Sequence, residues 1–162
     1  QSGLQQGAAP IPGALPQLPE GLVGKGLLSA AQAETLIYST SAHARDLPGR
    51  YEPEDKGCVL KSSAEGQVYR QGYFLGDGTG CGKGRQVAGI VLDNWIRGRR
   101  RAVWISKSDK LIEDAQRDWS ALGQERLQIV PQSRYRQGAP ITLIEGILFT
   151  TYATLRSEER QG

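Results

Sequence analysis

The sequence predicts an α/β fold in which helices cover the faces of a parallel sheet. Three observations predict it: a glycine-rich loop at residues 76–84, helical spacing of apolar residues after that loop, and short apolar runs that alternate with the helical segments. Strands that alternate with helices form parallel sheets, because each crossover returns the chain to the same edge of the sheet. We expect about four parallel strands, with a ligand at their carboxyl ends.

The elements are predicted in order along the chain. Residues 1–26 hold 6 of the 21 glycines and 4 of the 8 prolines, which is typical of a linker or extended arm. Ser29 is a candidate N-cap for a helix that ends near Ala44. Residues 46–67 are predicted to be mostly loop, with a short strand at Val59 and Leu60.

The second half of the chain alternates strands with helices. Apolar runs predict strands at residues 72–75, 102–105, 127–130 and 147–150. Helical spacing predicts one helix that ends near Gly98 and another that stops at Gly123. The apolar face of the first helix is marked by Val87, Ile90, Val91 and Trp95, and that of the second by Leu111, Ala115, Trp119 and Leu122. We therefore expect four segments: an arm (1–26), a helix and loop (27–71), an α/β core (72–157) and a polar tail (158–162).

Composition and charge narrow the class of protein. With 38% hydrophobic and 23% charged residues the chain is neither a disordered tail nor a collagen-like repeat. It has no apolar run near the roughly 20 residues of a membrane helix, so no membrane partner is expected. Two cysteines cannot build a disulfide framework, which favours a reducing, cytoplasmic setting.

Positive charge is concentrated in the second half of the chain. Residues 1–70 hold 6 Lys and Arg against 7 Asp and Glu, whereas residues 71–162 hold 14 against 10. A basic second half is compatible with a polyanionic partner. The dense arginine run at residues 97–101 has a simpler interpretation as a solvated helix end.

The glycine loop carries the chemistry. Glycines let successive backbone N–H groups point inward, and the following helix adds its positive end, so this context favours a phosphate. Lys83 stands where a P-loop lysine reaches the outer phosphates. The alternating glycines also look like the first motif of class I methyltransferases, which bind S-adenosylmethionine. Such a site usually has an acidic residue after the next strand, which binds the ribose hydroxyls, whereas this chain has Lys107 there. A glycine turn with no ligand is the third interpretation.

The loop departs from the standard P-loop, G-x-x-x-x-G-K-[ST], at two positions. Asp77 replaces the first glycine, and Gly84 replaces the Ser or Thr whose hydroxyl ligates magnesium. The metal ligand is therefore left open, with Thr79 a candidate on proximity alone.

Residues 72–119 resemble the strawberry notch-like NTPase/helicase domain of superfamily 2, whose loop is similar in carrying glycine and then arginine after the lysine. The resemblance covers about residues 22–157. In the segment LLSAAQAETLIYSTSAHARDLPG, Gln32 matches a Q-motif-like adenine reader. The segment ITLIEGILFTTYATLRS is similar to the Thr-Thr-Tyr element of Snf2-type enzymes.

This resemblance implies an incomplete first motor domain with a P-loop NTPase (RecA-like) fold that uses ATP and Mg²⁺. It assigns Lys83 the catalytic role. It also implies that the cofactor is bound by Gln32 and by the loop residues Asp77, Gly78, Thr79, Gly80, Cys81, Gly82, Lys83, Gly84 and Arg85. It implies nucleic-acid contacts, with DNA favoured over RNA, for Ser106, Lys107, Ser108, Thr150, Thr151 and Tyr152. The simpler interpretations are an exposed helix residue for Gln32, a capping turn at 106–108 and ordinary strand residues at 150–151.

The magnesium-binding acidic pair that such ATPases carry at the end of a strand has no good match in this sequence. Glu113 and Asp114 continue a predicted helix, and Glu158 and Glu159 follow no predicted strand. We therefore expect the N-terminal part of a motor that binds ATP without hydrolysing it. The alternative is a nucleotide- or DNA-binding module without motor activity. The resemblance implies as partners the rest of the motor with its second RecA-like domain and, as in many bacterial and phage proteins of this kind, a fused DNA methylase.

Overall fold

The structure is a computed structural model that describes residues 14–54, 59–78 and 82–159. Its described residues group into two units. The first unit contains residues 14–15 and those between 37 and 74, and the second contains residues 16–36 and those from 75 onward. The predicted segment boundaries at residues 26, 71 and 157 stay a prediction. No helix of the described residues is long and apolar enough to cross a membrane.

Helix α1 spans Ala30–His43, close to the predicted bounds. Its start is a capping box. The Ser29 hydroxyl accepts the backbone N–H of Gln32 at 3.2 Å, and the Gln32 side-chain oxygen accepts the backbone N–H of Ser29 at 2.9 Å. Residues 30–36 belong to the second unit and residues 37–43 to the first.

The first unit contains a small antiparallel ladder. Strand β1 (Tyr51–Pro53) pairs with β2 (Leu60–Ser62), with Tyr51 opposite Ser62. The short strand predicted at Val59 and Leu60 thus begins one residue later, and β1 lies where only loop was predicted. Three-residue strands are too short to show a period of two, so their pairing is invisible in the sequence.

The second unit contains a parallel sheet, as predicted. Strands β3 (Arg101–Ser106), β4 (Ile129–Pro131) and β5 (Gly146–Thr151) lie in the order β3-β5-β4, and both neighbours of β5 are parallel to it. All six residues of β5 are buried. Strand β3 is only half-buried despite its apolar run, because residues 101, 103 and 105 share one exposed face.

The strand predicted at residues 72–75 is wrong, and the described sheet has three strands rather than about four. Residues 71–78 form no regular structure, and the Phe74 side chain is 90% exposed. A strand needs a neighbour that pairs with its N–H and C=O groups, and no described strand lies beside this run. The apolar run in the sequence does not show whether a pairing strand lies beside it.

Three helices complete the second unit: α2 (Lys83–Ile96), α3 (Ile112–Ala121) and α4 (Tyr152–Glu159). A short 3-10 turn at Asp109–Leu111 precedes α3. Two more, at Arg126–Gln128 and Gln132–Arg134, flank β4, so the strand predicted at 127–130 lies at 129–131 instead. Helix α4 was missed by the sequence analysis. Its first turn is stabilised by the Thr151 hydroxyl, which accepts the backbone N–H of Thr154 at 3.2 Å.

The core of the second unit lies between α2, α3 and the sheet. Trp95 and Trp119 meet edge to face at 5.6 Å between ring centroids, and the Trp119 indole N–H donates to the side-chain oxygen of Gln128 at 2.9 Å. The buried apolar residues of α2 are Ala88, Leu92 and Trp95. The predicted face was therefore rotated, since Val87, Ile90 and Val91 are only half-buried. Leu22, from the predicted arm, also packs in this core.

Candidate nucleotide-binding site

Lys83 closes the glycine loop on itself. As the first residue of α2, it extends its ammonium group back over the loop and donates to the carbonyl oxygens of Asp77 at 2.6 Å and Gly78 at 2.7 Å. Thr79, Gly80 and Cys81, which the sequence also places in the site, lie outside the described residues. The described part of the loop thus brings the predicted lysine against the predicted phosphate-binding backbone.

Gly82 gives α2 an uncapped start. Its backbone is left-handed at φ +69°, a conformation that glycine adopts without the penalty a Cβ would bring, and no side chain caps the first turn. The first N–H groups of a helix have no partners within the helix. The helix therefore begins with the donors and the positive dipole end that suit an anion.

Asp77 and Gln32 hold the loop from two sides. The Asp77 carboxylate accepts the side-chain N–H of buried Gln86 in α2 at 3.1 Å. Gln32 donates its side-chain N–H to the Gly82 carbonyl oxygen at 3.3 Å. The departure from glycine at position 77 therefore ties the loop to α2. Gln32 is half-buried against the loop, and its proposed reading of adenine stays a prediction.

Arg85 and Gly84 face α3 and the segment before α1. The Arg85 guanidinium forms an ion pair with Asp118, with Nε 3.2 Å from Oδ1, and donates to the Leu27 carbonyl oxygen at 2.8 Å. A Cβ on Gly84 would overlap Oδ2 of the same Asp118. Sequence reasoning missed Asp118, which stands in no motif. The glycine in place of Ser or Thr at position 84 signalled that a hydroxyl was missing, but it did not identify Asp118.

The second group of predicted residues lies at the carboxyl ends of β3 and β5. Ser106 stands opposite Thr151 in the parallel register, Lys107 follows as an exposed residue, and Tyr152 is 59% exposed. The Ser108 hydroxyl accepts the backbone N–H of Lys110 at 3.3 Å, so it does cap a turn. The sheet thus brings these two chain segments to one edge.

Thr150 and Thr151 are buried, and both hydroxyls have protein partners. Thr151 bonds to Thr154, as described above, and the Thr150 hydroxyl bonds to the side-chain oxygen of Gln132. A cavity of about 750 Å³ opens beside Thr150, and it is lined mainly by residues 132–141, with Thr154 and Ser157 of α4. Sequence analysis singled out Thr150 but no residue of the 132–141 segment, because that segment has no periodic pattern.

The arginine run lies at the other end of β3 and is largely engaged. Arg97 pairs with buried Asp93 at 2.9 Å, and Arg99 donates to Asn94 at 3.1 Å. Arg100 lies 3.5 Å from Glu145 and stacks over the Trp95 ring at 5.4 Å. These contacts favour the interpretation of the run as a helix end.

A parallel α/β sheet, a glycine loop and a lysine at the start of the next helix together define a P-loop nucleotide-binding domain. Comparison with known sequences gives the family: residues 2–162 match the family described as P-loop containing NTP hydrolase pore-1, and the chain belongs to it. It is a strawberry notch-like domain of the helicase-like, nucleotide-binding class. The match is not to a methyltransferase family.

Three relatives illustrate the likeness. The chain is 34% identical to Protein strawberry notch of Drosophila melanogaster over 146 residues, which cover 87% of this chain and 8% of that protein. Human Protein strawberry notch homolog 2 is 37% identical over 137 residues, 85% of this chain and 9% of that protein. Protein FORGETTER 1 of Arabidopsis thaliana is 35% identical over 140 residues, which cover 83% of this chain and 9% of that protein.

The chain therefore spans less than a tenth of the length of these three curated relatives. No solved structure matches the chain significantly.

Proposed function

We propose that this chain is the ATP-binding part of a superfamily 2 helicase-like motor that acts on nucleic acid. The observation that carries the proposal is the position of Lys83. Its ammonium group lies over the carbonyl oxygens of Asp77 and Gly78, at the uncapped start of α2. A triphosphate bound in the loop would replace those carbonyls as the partner of the ammonium group, and charge-assisted bonds of this kind are the stronger ones.

The loop is preorganised for this exchange. Gln86 holds Asp77 and Gln32 holds Gly82, so the two ends of the described loop are anchored to helices before any ligand binds. Anchoring lowers the entropy lost when the loop wraps around a phosphate chain. ATP is the proposed ligand, with Lys83 on its outer phosphates and the first N–H groups of α2 beneath them.

Mg²⁺ belongs to the proposal as the ion that neutralises charge on the outer phosphates. The residues present suit it, although the standard P-loop hydroxyl is missing at Gly84. The Asp118 carboxylate fills the space that a side chain at position 84 would take, and carboxylate oxygen is a preferred Mg²⁺ ligand.

Nucleic acid is the proposed second ligand, at the edge formed by the ends of β3 and β5. Lys107 is exposed there, and the second half of the chain is basic. Contacts from this edge would go to phosphates, so we propose binding that does not depend on base sequence, with DNA favoured over RNA. Hydrolysis and movement would need the remainder of the motor, including a second RecA-like domain, and a fused methylase is a further proposed partner. We also propose a cytoplasmic setting, which the presence of only two cysteines supports.

The test is the affinity of the chain for ATP, measured by calorimetry for wild type and Lys83→Ala. Charge-assisted contacts are worth about 1.5–3 kcal/mol each, so the variant should bind ATP roughly ten- to a hundredfold more weakly. Lys110→Ala is the matched control, because Lys110 is an exposed lysine on the 3-10 turn before α3 and makes no hydrogen bond or ion pair with the described part of the loop. Equal ATP affinity in wild type and Lys83→Ala would refute the proposal, and binding of S-adenosylmethionine in preference to ATP would favour the methyltransferase interpretation instead.

A further inference from the structure

Gly84 stands where the standard P-loop has the hydroxyl that ligates magnesium, and the structure shows what fills its place. A Cβ built on Gly84 would overlap Oδ2 of Asp118 and lie 3.5 Å from the carboxyl carbon of that residue. The missing side chain is thus replaced by a carboxylate oxygen from α3. Glycine at this position therefore makes room for a carboxylate oxygen.

Asp118 presents its two oxygens to different neighbours. Oδ1 faces the Arg85 guanidinium, with 3.2 Å to Nε, whereas Oδ2 is the oxygen nearest to Gly84. Arg85 is itself fixed by its bond to the Leu27 carbonyl oxygen at 2.8 Å. The ion pair therefore orients the carboxylate and leaves Oδ2 at the start of α2, one residue from Lys83.

We propose that Asp118 Oδ2 is the protein ligand for the Mg²⁺ of the bound nucleotide, in place of the hydroxyl that Gly84 lacks. The inference rests on the proposed ATP binding and deepens it. Protein sites for this ion usually supply one or two carboxylates and leave the other positions to phosphate oxygens and water. One oriented carboxylate beside the phosphate-binding lysine meets that requirement.

A purely structural role for Asp118 explains less. The ion pair with Arg85 uses Oδ1, and the described residues give Oδ2 no hydrogen-bond or ion-pair partner. Glycine at position 84 leaves room for that oxygen, since a Cβ there would overlap it. Metal binding supplies the partner that the ion pair leaves out.

The first experiment measures how much Mg²⁺ strengthens ATP binding. The affinity of the chain for ATP is measured by calorimetry with Mg²⁺ and with EDTA, in wild type and in Asp118→Ala. We expect the gain from Mg²⁺ to fall by about tenfold or more in the variant, as it does when metal-site residues are removed. Asp114→Asn is the matched control, because Asp114 is a half-exposed carboxylate on the same helix that pairs with Arg117. The spin-resonance spectrum of Mn²⁺ with ATP gives an independent readout, which should change on binding to wild type and less on binding to Asp118→Ala.

The second experiment exchanges the two ligand types. Gly84→Ser alone places a side chain on the Asp118 carboxylate and should reduce the Mg²⁺ gain. Combined with Asp118→Ala it restores the standard P-loop hydroxyl, so the double variant should recover Mg²⁺-dependent ATP binding beyond either single variant. Asp118→Cys should shift the preference from Mg²⁺ towards Cd²⁺, because thiolates favour soft metals. Circular dichroism checks folding, and Asp118→Asn, which preserves volume, replaces any variant that does not fold.

The outcomes separate this inference from the proposed function. If Mg²⁺ strengthens ATP binding as much in Asp118→Ala or Asp118→Asn as in wild type, Asp118 is not the ligand, although ATP binding stands. The same holds if Thr79→Val loses the effect of Mg²⁺ and the Asp118 variants keep it. A wild-type chain that binds ATP neither with Mg²⁺ nor with EDTA overturns the proposed function, and this inference with it.

Discussion

Gln32 and Gly82, fifty residues apart in the chain, are joined by a hydrogen bond of 3.3 Å from the Gln32 side-chain nitrogen to the Gly82 carbonyl oxygen. The oxygen of the same side chain accepts the backbone N–H of Ser29 at 2.9 Å. One side chain therefore caps α1 and anchors Gly82, the loop residue directly before α2. These two hydrogen bonds explain a glutamine at position 32 without any contact with a base.

Gln32→Glu separates the two uses of this side chain. A carboxylate can still accept the Ser29 N–H, but it cannot donate to the Gly82 carbonyl and instead sets two oxygens against each other. We expect the free energy of unfolding to fall by about 0.5–1.5 kcal/mol, the worth of one hydrogen bond, and ATP affinity to fall with it. Urea denaturation and calorimetry measure the two effects. Gln32→Ala, which loses both bonds, should be worse in stability, and wild-type behaviour of Gln32→Glu would show that the loop does not depend on this contact.

Gly89→Ala tests the close approach of α2 to α1. A Cβ at position 89 would lie 2.7 Å from Leu36 Cδ2 and 3.2 Å from Cδ1, and the Leu36 side chain is fully buried. Overpacking costs about 1–3 kcal/mol, whereas replacing a helical glycine by alanine returns about 0.5–1 kcal/mol. The packing cost should exceed the gain from replacing glycine, so the free energy of unfolding of the variant should be lower than that of wild type by about 1 kcal/mol.

The control for this variant is Gly24→Ala, since a Cβ there would meet only the Gly21 carbonyl oxygen at an ordinary 3.7 Å. Thermal or urea unfolding should leave Gly24→Ala within experimental error of wild type. A Gly89→Ala chain that is more stable than wild type would show that Leu36 repacks freely, contrary to the tight contact described above.

Glu52 in the first unit should titrate below its ordinary range. Its side-chain hydrogen bond with Lys61 is the main cause that lowers the pKa, and the hydrogen bond from Ser63 adds to it. Because the pKa is lowered in the folded chain, the stabilisation is present above the ordinary pKa of a glutamate and is lost as the pH falls through the folded value. NMR titration of the Glu52 carboxyl carbon measures it. Lys61→Ala should move the pKa of Glu52 back towards the ordinary value, and an unmoved pKa would contradict the stated cause.

The α/β class was predictable because its signals are local. The N-cap at Ser29, the glycine stop after α3 and the apolar run of β5 each follow from a few neighbouring residues. Positions that depend on distant partners were not predictable. Residues 72–75 are apolar enough for a strand but have no described neighbour, and the buried face of α2 is set by what α1 and α3 place against it.

The candidate site divides in the same way. The loop and Lys83 form one continuous motif, and the Lys83 ammonium group contacts the carbonyl oxygens of Asp77 and Gly78. The predicted contact of Lys83 with phosphate stays a prediction. Asp118 lies on another helix and belongs to no pattern, and only the three-dimensional structure brings it to Gly84. A departure from a motif can thus reveal that a group is missing, but it cannot say which distant residue replaces it.

Lys107→Ala tests the nucleic-acid edge. Lys107 is exposed directly after β3, beside the end of β5, and Arg101 is exposed at the other end of the same strand, about 20 Å away. If Lys107 contacts a phosphate, its loss should weaken binding about equally for unrelated oligonucleotides and reduce the salt slope by roughly one charge, because one fewer counterion is released. Fluorescence anisotropy over a salt series measures both quantities. Arg101→Ala is the matched control and should change neither; the reverse result, loss with Arg101→Ala and none with Lys107→Ala, would place the nucleic acid at the opposite edge of the sheet.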